Sequence, residues 1–368
     1  MAEPLKNLIH PDLVTDMAET LAGRDTDFDR KRFLSRALTG LEDLELMQRA
    51  MLVRDALIDT LPGDFPAAAT LLSAALPDSE EDGIRGWALL PVNQFVAMKG
   101  LDHFDISLAL LKKLTPHFTA EFGIRTFIHA DQDRALATIS DWVSDDNHHV
   151  RRLASEGTRP RLPWAMRLPA LVRDPAPILP LLTALIDDPE EYVRRSVANS
   201  LNDIAKDHPA LIADFVGRHI SGASSDRKRL LKHASRTLLK QGHSRALANF
   251  GFAAATDISA ELTISTPDVR FGSHAAFSLL IGNTSGDAQN LMIDYAVHHR
   301  KANGLLAPKV FKWKSLVLAP GETACLEKSH AIRPITTRVY YPGTHRIEIQ
   351  INGQSVAAGD FLLSMGND

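Results

Sequence analysis

Residues 150–164 read VRRLASEGTRPRLPW, and the interpretation of the whole chain starts from them. Four arginines, one glutamate and one tryptophan occur within these fifteen residues. Guanidinium groups pair well with phosphates, and an indole ring packs against flat groups. Glu156 is unexpected among these arginines, because a carboxylate repels the phosphates that arginines attract. The stretch is too basic for a core helix and too specific for a solvated surface.

The stretch begins with a motif that returns along the chain. VRR occurs again 43 positions later, from Arg151 to Arg194, and a related segment, EFGIR, occupies 121–125. Acidic turns precede the two VRR motifs, at 145–147 and 187–189. This spacing is typical of HEAT-type helical pairs, which stack because no pair buries its own apolar face. The pattern predicts an irregular helical solenoid whose arginines lie along one concave groove.

The chain changes character near residue 255. Apolar residues recur at helical spacing before this point, whereas apolar and polar residues alternate after it. Turn signals such as Asn352-Gly353 separate the predicted strands. The seven strands are 258–265, 275–282, 291–299, 309–318, 323–331, 345–351 and 356–363. The predicted fold class is multidomain: an all-α HEAT-like repeat solenoid at 1–254, followed by a small all-β immunoglobulin-like sandwich at 257–368.

Charge is unevenly distributed along the sequence. Residues 148–245 carry 17 lysines and arginines against 10 acidic residues, whereas residues 1–147 carry 14 against 25. A basic segment in an acidic protein indicates a defined polyanion site rather than general stickiness. The single cysteine, Cys325, excludes an internal disulfide and a cysteine-based zinc site. No secretory signal or membrane-spanning run is recognised, so we expect a cytoplasmic protein without a membrane partner. We also expect a monomer.

Motifs of several common enzyme sites are absent from the sequence. It contains no Gly-rich phosphate loop, no H-E-x-x-H and no G-x-S-x-G, so neither a nucleotide cofactor nor a metal is expected. His148 and His149 are adjacent and do not share a helix face. This favours a solvated or phosphate-facing role over metal ligation.

Three carboxylates, Glu121, Glu156 and Asp203, lie on or beside the arginine-bearing helices. Glu121 stands four residues before Arg125, and Glu156 stands four residues after Arg152. Ordinary ion pairs within helices explain this spacing. Alternatively, three helices aim three carboxylates into one cationic groove, where an acidic spot is wasteful unless it binds a cation.

Trp164 also allows two interpretations. Its ring either caps the core or is exposed for stacking against a partner. The preceding residues, RPRLP at 159–163, place it in a loop with two prolines and two arginines, which favours an exposed ring.

Three ordered blocks carry a family resemblance: EFGIRTF at 121–127, SDDNHHVRRLASEGTRPRLPW at 144–164 and DDPEEYVRRSVANSLNDIAKDHP at 187–209. Together they resemble the bacterial 3-methyladenine DNA glycosylases of the AlkC family, relatives of AlkD. The C-terminal part resembles the immunoglobulin-like domain that one subset of AlkC carries. The resemblance implies a HEAT-like fold, no cofactor, and excision of 3-methyladenine and 3-methylcytosine from double-stranded DNA.

The resemblance also implies roles for individual residues. It matches Glu121, Glu156 and Asp203 to the acidic cluster at the lesion, matches Trp164 to an aromatic contact, and places Arg152 with them. A base that carries a positive charge is already a good leaving group, so no general acid is required. The carboxylates would stabilise the oxocarbenium-like sugar, and one would orient the attacking water. The candidates for phosphate contacts are Arg151, Arg152, Arg159, Arg161, Arg194 and Arg195.

Two other classes of function stay open: a HEAT scaffold for protein partners, and a module that binds damaged DNA without cutting it. If the chain is a glycosylase, we expect no lyase activity, on the expectation that no lysine lies near the proposed carboxylates in sequence. The sandwich has a basic cluster of Arg300, Lys301, Lys309, Lys312 and Lys314. The sandwich is either a tether for the helical part or a clamp that closes on the duplex from the opposite side.

Overall fold

The computed structural model describes residues 4–77, 83–336 and 338–365. The chain forms two compact units, residues 1–207 and residues 208–368. In the described residues, the first unit consists of helices and turns, and the second of short helices followed by strands.

The described residues of the first unit contain twelve α-helices. They are α1 (Pro11–Arg24), α2 (Arg30–Leu38), α3 (Leu46–Thr60), α4 (Phe65–Ala74), α5 (Leu89–Lys99), α6 (Phe104–Leu114), α7 (Ile124–Ala130), α8 (Gln132–Ser140), α9 (His148–Glu156), α10 (Pro169–Arg173), α11 (Leu179–Ala184) and α12 (Glu191–Ala205). Short 3-10 helices occupy Leu5–Leu8, Leu41–Asp43, Gly86–Ala88, Leu101–His103, Asp141–Ser144 and Ala176–Ile178. A search of the described part of the chain finds no helix with the length and apolar character needed to cross a membrane.

Side chains cap the helices where the sequence changes from turn to apolar repeat. His10 Nδ1 accepts a hydrogen bond from the Leu13 N–H at 3.3 Å, and Pro11 occupies the first position of α1. Asn147 starts α9, its Oδ1 accepting from the His149 N–H at 2.9 Å. Such caps satisfy backbone donors that the first turn of a helix leaves free.

The arginines that lie 43 positions apart, Arg151 and Arg194, make the same local contacts. The Arg151 Nη1 donates to the carbonyls of Asp145 and Asp146, at 2.9 and 3.0 Å. The Arg194 Nη1 donates to the carbonyls five and six residues before it, in the second acidic turn, at 2.8 and 2.6 Å. Helices α9 and α12 also meet directly, since the hydroxyls of Ser155 and Ser196 lie 2.6 Å apart. Each arginine therefore closes the acidic turn that precedes its helix.

The prediction for the segment at 121–125 is wrong in one respect. Helix α7 begins at Ile124, so Glu121 lies in the turn before it and does not share a helix face with Arg125. The turn is close-packed: a Cβ on Gly123 would lie 2.7 Å from a methyl carbon of Leu111. Glu121 is therefore free to pair with a side chain from another helix.

The second unit contains four further helices and, in the described residues, eight strands. The helices are α13 (Pro209–Ile220), α14 (Ser225–Ala234), α15 (Arg236–Lys240) and α16 (Ser244–Ala248). The strands are β1 (Ile258–Ile264), β2 (Asp268–Arg270), β3 (His274–Asn283), β4 (Gln289–Arg300), β5 (Leu306–Leu318), β6 (Thr323–Ala331), β7 (Gly343–Ile351) and β8 (Gln354–Ser364).

The strands form two sheets that enclose one core. The order is β1-β3-β6 in one sheet and β2-β8-β7-β4-β5 in the other. Every pairing is antiparallel except that of β2 with β8. Phe277 from the first sheet packs with Tyr295, Ile349 and Phe361 from the second. The predicted order of an all-α region followed by an all-β sandwich is confirmed, although the three-residue strand β2 was not predicted.

The predicted boundary between the domains follows the change from helix to strand. Helix α16 ends at Ala248 and β1 begins at Ile258, on either side of the predicted linker. The compact units divide earlier, after Asp207, because α13 to α16 belong to the same compact unit as the strands. The limits 1–254 and 257–368 therefore stay a prediction about functional domains.

Candidate active site

The three carboxylates singled out from the sequence belong to one continuous ionic network in the first unit. Acidic and basic side chains alternate along it, in the order Glu121, Arg152, Glu156, Arg159, Asp203 and Lys206. We call these six residues the carboxylate row. The nitrogen–oxygen distances between successive members are 2.6, 3.4, 2.6, 2.8 and 2.8 Å. Helices distant in sequence therefore contribute to one site.

Local structure explains how the row is assembled. Arg152 and Glu156 lie one turn apart on α9, and Glu156 is the last residue of that helix. Gly157 follows at a point of close packing, where a Cβ would lie 2.1 Å from the Ile124 Cδ1. Asp203 lies in the last turn of α12. The stacked repeats thus bring the end of α9 beside the end of α12 and beside the turn that holds Glu121.

The row is largely shielded from water. Glu156 is 5% exposed, Asp203 is 1% exposed and Arg159 is 7% exposed. Burial lowers the pKa of Arg159, but Glu156 and Asp203 outweigh this effect, so the pKa is raised overall. Each charge in such a setting requires an opposite charge beside it, because the desolvation cost is otherwise uncompensated. The three carboxylates and three cations provide this pairing.

A buried arginine outside the row organises the loop that follows α9. Arg125 is fully buried and donates from Nη1 to the carbonyls of Gly157 and Arg159, at 2.9 and 2.8 Å. Its Nε donates to the Met166 carbonyl at 2.6 Å. Burial and the nearby Arg159 lower the pKa of Arg125 to about 10. One side chain therefore fixes both ends of the 157–166 loop.

Trp164 stands out from this loop. It is 68% exposed, so the prediction of an exposed ring is confirmed. Its φ angle is +62°, in the left-handed region that bulky residues rarely adopt. The loop is held by Arg125 and by a hydrogen bond from the Leu168 N–H to the Pro160 carbonyl at 3.2 Å. A large apolar ring is thus presented to solvent on a fixed backbone.

Most of the arginines predicted to contact phosphates already have partners within the protein. Arg151 binds both carboxylate oxygens of Asp188, in addition to its turn carbonyls. Arg161 binds Asp207 in the same bidentate way, at 2.8 Å for each contact. Arg194 closes the acidic turn described above. Arg195 is exposed, and no hydrogen bond or ion pair of its side chain is found within the described residues. Phosphate contact by these arginines stays a prediction.

The sequence did not reveal several residues that surround Arg152. Thr119 accepts a hydrogen bond from Arg152 at 3.0 Å and donates one to Glu121 at 2.8 Å. The Arg152 guanidinium also lies over the Tyr192 ring, 5.1 Å from its centre. Thr119, Arg152 and Tyr192 line a cavity of 360 Å³ together with His117 and His149. Spacing alone could not predict Thr119 and Tyr192 as neighbours of Arg152, because both lie more than 30 positions from it in sequence.

Lys206 corrects the expectation that no lysine lies near the carboxylates. It stands three residues after Asp203, and the Nζ lies 2.8 Å from the Asp203 Oδ1. The spacing of three residues on a helix was a signal that the sequence contained.

The adjacent histidines pack with an aromatic neighbour. The rings of His148 and His149 lie 4.1 Å apart, and both contact the edge or face of Tyr192. Burial is the main cause that lowers the pKa of His149. A search of the described residues finds no group of three side chains arranged to hold a metal ion.

Comparison with known proteins assigns the chain to a family. Residues 115–238 match the model of the DNA alkylation repair enzymes, and residues 259–365 match that of the C-terminal immunoglobulin-like domain of the uncharacterised protein YhaZ. The Bacillus subtilis protein YhaZ is 37% identical over 97% of this chain and 98% of its own length. A solved structure of the Pseudomonas fluorescens alkylpurine DNA glycosylase AlkC, bound to DNA with an abasic site analogue, is also 37% identical. It covers 98% of this chain and 100% of that chain, with a TM-score of 0.86. The chain therefore belongs to the AlkC family of DNA alkylation repair proteins, in the group with a C-terminal immunoglobulin-like domain.

Proposed function

We propose that this chain is a DNA repair glycosylase that hydrolyses the N-glycosidic bond of cationic alkylated bases, 3-methyladenine and 3-methylcytosine, in duplex DNA. The observation that carries the proposal is the carboxylate row, which gathers Glu121, Glu156 and Asp203 into one network. The likeness to a solved alkylpurine DNA glycosylase over nearly the whole chain supports the same reaction class.

The proposed reaction needs electrostatic help more than proton transfer. The bond between the sugar C1′ and the base nitrogen breaks, and its electron pair leaves with the base. Because the base carried a positive charge, it departs neutral without being protonated. Water then adds to C1′ and loses a proton to a carboxylate or to solvent. Glu121 and Glu156 flank the developing sugar cation, and Asp203 positions the water.

Charge balance in the row favours a cationic lesion over a neutral base. In the free protein, three carboxylates offset Arg152, Arg159 and Lys206. Arg152 and Arg159 each hold two of the carboxylates, and Arg152 is the more exposed of the two, with 15% of its side chain exposed against 8%. When a DNA phosphate competes for Arg152, Glu121 and Glu156 lose part of their counter-charge. A positively charged base and sugar then replace the counter-charge that these two carboxylates have lost.

The remaining surface of the protein would hold the duplex. Trp164 contacts the lesion nucleotide, and Arg151, Arg152, Arg159, Arg161, Arg194 and Arg195 form the candidate phosphate set, among which Arg195 is the most available. The domain at 257–368 closes on the duplex through Arg300, Lys301, Lys309, Lys312 and Lys314. The protein acts as a monomer in the cytoplasm, associated with the nucleoid when it is bound to DNA.

The proposed enzyme is monofunctional, without lyase activity. A lyase requires a neutral amine that attacks C1′. Lys206 is the amine of the row, and its Nζ is engaged by the Asp203 carboxylate, 2.8 Å from Oδ1. Product DNA should therefore contain an intact abasic site.

Incubation with DNA methylated by an alkylating agent tests this function. Chromatography of the supernatant should detect 3-methyladenine and 3-methylcytosine, and gel analysis should detect no strand break before treatment with alkali. Glu121→Gln should release far less base than wild type, whereas Glu191→Gln, which changes an exposed glutamate on α12, should not differ. Strand breaks without alkali would contradict the monofunctional assignment.

The same assay separates the alternatives. A damaged-DNA binding protein would bind the methylated duplex and release no base. A HEAT scaffold would show neither binding nor release. Either outcome would overturn the proposed reaction.

A further inference from the structure

The second unit contains a cavity that the chemistry of base release does not use, although Lys309 and Lys312 of the basic cluster line it. It lies between helix α15 and strands β4, β5 and β7, and its volume is 1040 Å³. Ligand pockets in proteins have volumes of about 300–1,000 Å³, so the space is large enough for a nucleotide. No member of the carboxylate row lines it.

Positive charge surrounds this cavity on both sides. Arg236 and Lys240 lie one turn apart on α15, so they project from the same side of the helix. Lys309 and Lys312 come from β5. Lys240, Lys309 and Lys312 around one cavity repel one another, and a bound anion relieves this repulsion. The cavity is therefore suited to a phosphate group.

One carboxyl group stands among these cations. Asp294 is the one acidic side chain among the described residues that line the cavity, and it is 5% exposed. Its register neighbours are Lys312 on β5 and Gln350 on β7. The Oδ1 is buried and has no hydrogen-bond partner in the described part of the chain. A buried acceptor without a partner costs free energy, which a ligand N–H group would recover. A phosphate site and an N–H acceptor thus occur in one cavity, because the lysines and Asp294 line the same space.

We propose that this cavity binds a single nucleotide. Lys240 and Lys312 hold the phosphate, and Asp294 accepts a hydrogen bond from the base. The nucleotide is either a free molecule or an unstacked residue of a DNA strand. No Gly-rich phosphate loop is needed, because side chains supply the positive charge. This site goes beyond the proposed glycosylase reaction.

Calorimetry of the full-length protein with dAMP and with inorganic phosphate tests the site. The wild-type protein should bind dAMP about tenfold or more tightly than phosphate, since the base adds a hydrogen bond to a charged acceptor. Asp294→Leu should bind dAMP no more tightly than phosphate. Lys312→Ala should weaken both ligands, whereas Lys232→Ala, an exposed lysine of α14 outside the cavity, should weaken neither.

Three results would overturn the proposal. They are equal affinities for dAMP and phosphate, dAMP binding that is unchanged in Asp294→Leu and Lys312→Ala, and the absence of any binding to dAMP. Binding to a duplex that carries one bulged nucleotide is compared with binding to the fully paired duplex, and this comparison identifies the source of the nucleotide. Preference for the bulge that Asp294→Leu abolishes indicates a DNA nucleotide. Tight dAMP binding without such a preference indicates a free nucleotide. The base-release assay does not depend on this result, so the two proposals fail separately.

Discussion

Arg159 provides the most direct way to perturb the carboxylate row. It binds Glu156 at 2.6 Å and Asp203 at 2.8 Å, and it is 7% exposed. Arg159→Met keeps the length of the side chain and removes its charge. Breaking a buried ion pair costs about 3–5 kcal/mol, because the partner charge is left uncompensated. Glu156 retains Arg152 at 3.4 Å, and Asp203 retains Lys206 at 2.8 Å. We therefore expect the lower value, about 3 kcal/mol of unfolding free energy.

Urea unfolding of the full-length protein, followed by circular dichroism of the helices, measures this loss. Arg161→Met is the matched control, since it breaks a partly exposed pair that contributes about 0–1 kcal/mol. A triple variant that combines Arg159→Met with Glu156→Gln and Asp203→Asn leaves no carboxylate of the row without a cation, and the one cation that loses its partner, Lys206, has a side chain that is 43% exposed. It should regain at least half of the lost stability. A loss below about 1 kcal/mol for Arg159→Met, or a triple variant less stable than the single one, would refute the reasoning.

Three further predictions concern the loop, the tryptophan and the sandwich. Arg125→Met removes three hydrogen bonds from a charged donor, each contributing about 1.5–3 kcal/mol. Limited proteolysis should therefore cut the variant within the 157–166 loop, whereas the loop of the wild-type protein stays protected. Trp164→Gly should leave stability within about 1 kcal/mol, because the relief of backbone strain at φ +62° offsets the entropy of glycine, yet it should reduce base release. Burial and Arg338 lower the pKa of His299 to about 3, below the unfolded value of about 6.5. The contribution of His299 to the unfolding free energy should therefore be independent of pH above about 6.5 and fall by about 1.4 kcal/mol per pH unit between about 6.5 and 3.

Each of these predictions has its own contradicting result. If the 157–166 loop of Arg125→Met resists proteolysis as it does in wild type, the arginine does not hold this loop in place. A loss of more than about 2 kcal/mol in Trp164→Gly would assign the ring a packing role. A His299→Gln variant should show a shallower loss of stability in acid. An equal acid slope in both proteins would remove His299 as the cause.

The helical repeat could be predicted because its signals are local. The VRR motif and the acidic turn before it recur at 43 positions, and both turns are closed by Arg151 and Arg194 in the structure. The change to period-two alternation near residue 255 likewise predicted the sandwich. Strand β2 was missed because three residues are too few to establish an alternating pattern. Its pairing with β8 depends on residues almost one hundred positions away.

The candidate site was predictable in its residues but not in its pairing. The spacing suggested that Glu121 pairs with Arg125. In the structure, Arg125 donates hydrogen bonds to carbonyls of the 157–166 loop, and Glu121 pairs with Arg152. Contacts of this kind join residues more than 30 positions apart. Single-sequence spacing contains no information about them. Arg159 likewise could be recognised as basic, whereas its buried position between two carboxylates required the packed helices.

The central claim is that the carboxylate row stabilises the sugar cation during base release. The most direct measurement is the single-turnover rate of 3-methyladenine release by wild type and Glu156→Gln, with enzyme in excess over DNA. Removing one electrostatic stabiliser of a transition state typically lowers the rate by about 10²–10³-fold. The account predicts a loss of this size with unchanged affinity for the methylated duplex. A rate within a few-fold of wild type, in a protein that folds normally, would contradict it.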